Sequence, residues 1–243
     1  MNDARSTDAR RSALSLVTRL RPPGEATAGR PPLLILFHGV GSNELAMASI
    51  APAFPERFAV LSVRGPLELR PFSFAWLRVT FTDDGPRIDA DEARRSWERA
   101  GLFVDEAVAA IGADPDHVFL AGFSQGGILA LMTILTAPTR IAGAVCMSGR
   151  LPPEVLPHVA APERLRGKAV AIVHGTHDET LEVEYGRSAA ATLAELGLDT
   201  VYREFDMGHT TTAESLAFVS SWLTERLHDR DRDRPPPLSP GDR

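Results

Sequence analysis

The stretch of this 243-residue chain best suited to covalent chemistry is Gly122-Phe123-Ser124-Gln125-Gly126-Gly127. A serine hydroxyl is a weak nucleophile at neutral pH and needs an adjacent base. The pattern G-x-S-x-G carries such a serine on a sharp strand-to-helix turn, with glycine where the turn has no room for a side chain. Short patterns recur by chance, so the flanks matter. Residues 118–121 read as a short buried strand and residues 128–135 as a buried helix. Ser124 is therefore expected at the carboxyl end of a sheet, as a nucleophile.

On such a turn the partners follow in the chain order serine, acid, histidine. The chain has seven histidines, so position must choose the base. His209 lies in a loop between the last predicted strand, 200–205, and the last predicted helix, 214–227, which brings it to the rim that holds Ser124. His117 precedes the nucleophile strand at its wrong end, His158 lies in a proline-rich stretch and His228 borders the tail. His38 reads as a residue that holds its own loop, and His174 and His177 as structural. A metal site from His174, His177 and Asp178 has little to support it, and no metal is expected. For the acid, Asp178 follows the strand 169–173 at its carboxyl end and is favoured. Glu179 is its neighbour, and Asp206 sits so close to His209 that little chain remains to turn its carboxylate onto Nδ1. The ordinary alternative for Asp178 is a turn or cap residue. The oxyanion needs two fixed donors, expected from the backbone N–H groups of Gln125 and Val40. Gly39 and Gly41 let the Val40 backbone approach a substrate closely.

These groups must be held by a frame. Apolar runs at 33–37, 58–63, 141–147 and 169–173 read as strands covered on both faces. Amphipathic or buried helical patterns fall at 89–111, 128–135, 183–196 and 214–227. Strands alternating with helices imply an α/β class with a mostly parallel central sheet, helices on both faces and right-handed crossovers. Residues 14–20 alternate well enough for an edge strand. From 67 to 88 the pattern turns irregular and aromatic. Phe72, Phe74 and Trp76 are expected there as substrate-pocket walls, with a satellite hydrophobic cluster as the plainer alternative. Residues 148–166, rich in proline, read as a surface excursion. A single domain over 13–228 is expected, between disordered tails at 1–12 and 229–243.

Composition narrows the function. A net charge of -6 argues against nucleic-acid binding, which needs concentrated positive charge. No apolar stretch reaches spanning length, and the arginines near the N-terminus have no apolar segment behind them, so neither membrane insertion nor a secretory signal is expected. Cys146 is the single cysteine, which excludes an intrachain disulfide. A cytoplasmic protein is the expectation.

Taken together, these residues resemble the phospholipase/carboxylesterase family of α/β-hydrolases, which includes short-chain carboxylesterases and acyl-protein thioesterases. The resemblance spans roughly residues 33–227. It rests on Phe37-His38-Gly39-Val40-Gly41-Ser42-Asn43-Glu44, Ser62-Val63-Arg64-Gly65-Pro66, Gly122 to Gly127, His174-Gly175-Thr176-His177-Asp178 and Gly208-His209. It implies the α/β-hydrolase fold, triad roles for Ser124, Asp178 and His209, and oxyanion roles for Val40 and Gln125. Two departures bear on substrate. Thr180-Leu181 stands where the family often has Val-Pro, with Leu181 at the acyl pocket's edge. Trp76-Leu77-Arg78 stands for Trp-Phe-Asp, and Arg78 could attract an anionic substrate or simply point to solvent. The expected function is a serine carboxylesterase acting on short- to medium-chain small-molecule esters without a cofactor, as a monomer or homodimer. Thioesterase or lysophospholipase action on the same triad is the alternative within enzymes; a catalytically disabled binding protein is the alternative outside them.

Overall fold

In the computed structural model, residues 14–24, 29–82 and 85–233 are described. Of the tails expected at 1–12 and 229–243, residues 1–12 and 234–243 lie outside them. In chain order the elements are β1 (Thr18–Arg21), β2 (Leu33–Phe37), α1 (Glu44–Ile50), β3 (Ala59–Val63), β4 (Leu67–Arg70), β5 (Ser73–Ala75), β6 (Val79–Thr82), β7 (Gly85–Ile88) and α2 (Ala90–Ile111). There follow β8 (Val118–Phe123), α3 (Gln125–Thr136), β9 (Ile141–Met147), α4 (Pro162–Leu165), β10 (Ala169–Gly175), α5 (Val183–Glu195), β11 (Asp199–Phe205) and α6 (Ala213–Asp233).

Seven strands form one sheet in the order β1-β3-β2-β8-β9-β10-β11. Only β1 runs antiparallel, pairing Thr18 with Val63 and Arg21 with Val60. The parallel strands β2, β3, β9 and β10 are buried at every position, which is why they read as unbroken apolar runs. Alternation along β2 divides the core. Leu33, Ile35 and Phe37 pack with Trp97 and Phe103 of α2, Leu131 of α3 and Leu193 of α5. Leu34 and Leu36 pack on the other face with Met47 of α1 and Trp222 and Leu223 of α6. Local chemistry sets the helix ends. Asp89 caps α2 by accepting from the Glu92 N–H, and Gly112 closes it in the left-handed region at φ 69°.

Three expectations change. Residues 67–88 are not irregular but form two small antiparallel hairpins, β4–β5 and β6–β7. Residues 148–166 do not begin at the surface, because Ser148, Gly149 and Arg150 are buried. Residues 229–233, expected to be disordered, continue α6, where Asp229 bridges Arg226 and Arg232 at helical spacing.

Candidate active site

The turn after β8 holds Ser124 at φ 53°, ψ -119°, a strained backbone for a residue with a side chain. The surrounding contacts explain the glycines. A Cβ on Gly126 would stand 2.1 Å from the Phe37 carbonyl oxygen, and one on Gly122 2.1 Å from the Gly126 carbonyl carbon. The Ser124 N–H donates to the Met147 carbonyl at 2.8 Å, continuing the ladder with β9. Ser124 is itself largely buried.

His209 and Asp178 converge on this serine. His209 Nε2 lies 2.9 Å from Ser124 Oγ, and His209 Nδ1 lies 2.7 Å from Asp178 Oδ2. A carboxylate can only accept, so Nδ1 carries the proton and Nε2 is left to accept from the hydroxyl. The other oxygen, Asp178 Oδ1, accepts the N–H groups of Thr180 and Leu181 at 2.9 and 2.8 Å, which fixes the carboxylate's orientation. Thus the turn role weighed for Asp178 and its contact with His209 coexist. The loops that carry acid and base are joined by Thr176 N–H to Phe205 O and His177 N–H to Met207 O. Asp206 instead pairs with His177 at 2.9 Å, both side chains exposed. His174 is buried and turns to the Leu181 carbonyl at 2.8 Å, 3.4 Å from Asp178 Oδ2. Among the described residues no group of three or more His, Cys, Asp or Glu side chains is arranged to hold a metal.

The loop after β2 is held from several sides. The Gly65 N–H donates to His38 Nε2 at 2.8 Å, so His38 carries its proton on Nδ1 and donates to the Gly39 carbonyl at 2.7 Å. Burial lowers the His38 pKa, which keeps this tautomer neutral. Trp76 Nε1–H donates to the His38 carbonyl, and Gly41 and Ser42 exchange backbone bonds with Phe74. Glu44, wholly buried, receives both Arg64 Nε and Nη2 at 2.7 and 2.6 Å, and the Arg64 guanidinium lies 4.6 Å from the Phe74 ring centre. Among the described residues, neither the Val40 nor the Gln125 backbone N–H donates to another protein group. The Gln125 side chain is fully engaged: Oε1 accepts the Trp76 N–H and Nε2 donates to the Leu77 carbonyl, each at 2.8 Å. Sequence reasoning assigned Gln125 only its backbone. The partners of its side chain lie 48 and 49 residues away, and nothing local signals them.

Two cavities meet at Ser124. One, of about 490 Å³, is bordered by Met47, Phe123, His209 and Thr211. The other, of about 370 Å³, is walled by Leu77, Val79, Ile88, Ile128 and Leu181. Of the residues named as pocket candidates, Leu181 borders the second cavity, and the three aromatic residues line neither. Trp76 is buried against Phe37 and His38, because its indole N–H finds the His38 carbonyl there. Phe74 is covered by Arg64, and Phe72, in the β4–β5 turn, is 76% exposed. The aliphatic walls Leu77, Ile88 and Ile128 were missed, since isolated aliphatic residues in the sequence carry no signal that separates pocket from core.

A mostly parallel sheet with a serine turn at its carboxyl edge, met there by an aspartate and then a histidine later in the chain, defines an α/β-hydrolase. Residues 25–227 match the sequence pattern of the phospholipase/carboxylesterase family, and the chain belongs to that family; it is a hydrolase of the carboxylic-ester class. A probable carboxylesterase of Oryza sativa subsp. japonica is 31% identical over 220 residues, which cover 84% of this chain and 92% of that protein. Acyl-protein thioesterase 1 of Neurospora crassa is 27% identical over 82% of this chain and 93% of its own. In fold, the crystal structure of the Bacillus cereus carboxylesterase superposes with a TM-score of 0.76 at 21% identity, covering 90% of this chain and 99% of that one.

Proposed function

We propose that the protein is a serine carboxylesterase that cuts short- to medium-chain esters through an acyl-enzyme on Ser124. The observation that carries this reading is the unbroken line from Ser124 Oγ through His209 to Asp178, at 2.9 and 2.7 Å. His209 Nε2 takes the serine proton as Oγ attacks the ester carbonyl, and Asp178 stabilises the imidazolium that forms. The oxyanion is received by the N–H groups of Val40 and Gln125, the latter at the positive end of α3. One such donor is typically worth about 3 kcal/mol of barrier.

The two cavities take different halves of the substrate. His209 borders only the larger one. The group it protonates on departure must lie within its reach, so the alcohol leaves through that lobe and the acyl chain occupies the aliphatic lobe. Water then enters from the alcohol side, gives a proton to His209 as it attacks the acyl carbonyl, and Ser124 regains its proton on release of the acid. A thioester presents the same acyl carbon to the same groups, and the likeness to an acyl-protein thioesterase keeps thioesters as the second substrate class.

A fluorophosphonate probe read by intact mass tests the assignment. The wild type is expected to gain one adduct and Ser124→Ala none. No adduct on the wild type, or a persisting one on the variant, removes Ser124 as the nucleophile.

A further inference from the structure

His174 and His177 read alike in the sequence, but the fold sets them apart. His177 is exposed and pairs with Asp206. His174 lies near the end of β10 and is wholly buried. Its Nε2 stands 2.8 Å from the Leu181 carbonyl oxygen and 3.4 Å from Asp178 Oδ2. A carbonyl and a carboxylate can only accept, so Nε2 carries the ring's proton. The shorter contact is a hydrogen bond, and the longer one adds electrostatic attraction from the same N–H. The opposite edge of the ring rests on α5, where a Cβ on Gly186 would stand 2.6 Å from Nδ1. Glycine at that position leaves the ring room to sit this deep, within reach of the acid.

Asp178 has two oxygens to control. Oδ1 is fixed by the Thr180 and Leu181 N–H groups. Oδ2 faces His209 Nδ1 at 2.7 Å, but His209 is the group that the acid must orient. His174 supplies Oδ2 with a donor that stands outside the line from Ser124 to Asp178. Its bond to Leu181 also closes a circuit. The Leu181 N–H holds Asp178, and the Leu181 carbonyl is held by the strand that leads to Asp178. The turn 178–181 therefore cannot shift without breaking that bond. We infer that His174 is a positioning residue of the triad, whose Nε2–H holds this turn and Asp178 Oδ2 where the carboxylate meets His209. This rests on Asp178 and His209 acting with Ser124 as proposed above. Misplacing a reacting group by about 1 Å can cost about a hundredfold in rate, which sets the scale of the effect.

The test measures kcat and KM on 4-nitrophenyl butyrate, with active sites counted by the fluorophosphonate endpoint so that misfolded protein is left out. His174→Leu removes the donor and is expected to lower kcat per site by at least about tenfold, with KM within about twofold. His174→Gln carries an amide N–H to the reach of Nε2 and should keep kcat within about threefold of the wild type. In an Asp178→Asn background, His174→Leu should cost little more, because the group it positions has already been disabled. A His174→Leu enzyme with wild-type kcat overturns the inference. So does a Gln variant as slow as the Leu variant, or a full added loss in the Asp178→Asn background. Should His174→Leu fail to fold, His174→Asn decides against His174→Gln, since the shorter amide reaches only as far as Nδ1; equal kcat in the two overturns the inference. If Asp178→Asn itself keeps full kcat, the triad reading fails first. If it loses kcat while the His174 variants do not, only the role of His174 falls.

Discussion

At the scale of single residues, the site turns on which carboxylate faces His209. Asp178 sends one oxygen to His209 and holds the other with two backbone N–H groups, so it cannot swing away without losing both bonds. Asp206 is nearer in sequence but spends its charge on an exposed pairing with His177, where solvent leaves little net attraction. Asp178→Asn is therefore expected to lower kcat on a nitrophenyl ester by about three to four orders of magnitude, through loss of the tautomer that lets Nε2 accept. Asp206→Asn should change it by no more than about twofold, as substitutions at such surface positions usually do. The reverse pattern would exclude Asp178 as the acid. The lone thiol plays no part in this chemistry. Cys146 lies buried beneath the serine turn, and burial pushes its pKa up to about 12, so it has no thiolate to offer.

At the scale of elements, Gln125 joins α3 to the strand end that leaves the first hairpin. Removing its amide leaves the Trp76 N–H and the Leu77 carbonyl buried without partners, at a cost of about 1–3 kcal/mol each. Gln125→Ala is expected to unfold at a lower denaturant concentration. It should also be cut by chymotrypsin after the exposed Phe72, in the β4–β5 turn, faster than the wild type under native conditions. Equal cleavage rates would show that the amide does not hold the hairpin. This region also marks the limit of what could be read in advance. The central strands were legible because burial on both faces writes itself as an unbroken apolar run, as in Leu33-Leu34-Ile35-Leu36-Phe37. The hairpins were not: β4 is mostly exposed, and a register shift between Glu68 and Arg70 interrupts any alternation. Trp76 looked like a pocket wall because its type fits one, yet its position was decided by a carbonyl 38 residues upstream.

At the scale of the whole molecule, the rim of the candidate site is assembled from five strand ends, and the Glu44–Arg64 pair ties the start of α1 to the loop after β3. Arg64 holds the Glu44 pKa below its ordinary value. A carboxylate depressed in the folded state adds stability that is present above its unfolded value, near 4.3, and is lost as pH falls through the folded value. Glu44→Gln is expected to be about 2 kcal/mol less stable than the wild type at neutral pH, with Arg64 partly reaching solvent and limiting the loss. The difference should disappear below the carboxylate range, as read from denaturation midpoints taken at several pH values; a gap that persists at pH 3 would assign the cost to packing instead. The order serine, acid, histidine was legible across this whole frame because each lies just past a strand, where a parallel sheet gathers its carboxyl ends. Arg150 was not, since a residue in a proline-rich connection gives no sign that the chain enters the interior there. The division of the cleft into two lobes has a last consequence. Under the proposed mechanism, once the alcohol has gone the lobe beside His209 is open to water while the acyl group waits on Ser124, and at about 490 Å³ that lobe is far larger than a water molecule needs. Any small hydroxyl compound that fits can be activated there in its place. Hydrolysis is then a matter of water's abundance, and in a medium rich in methanol or glycerol the same residues would make new esters by transesterification.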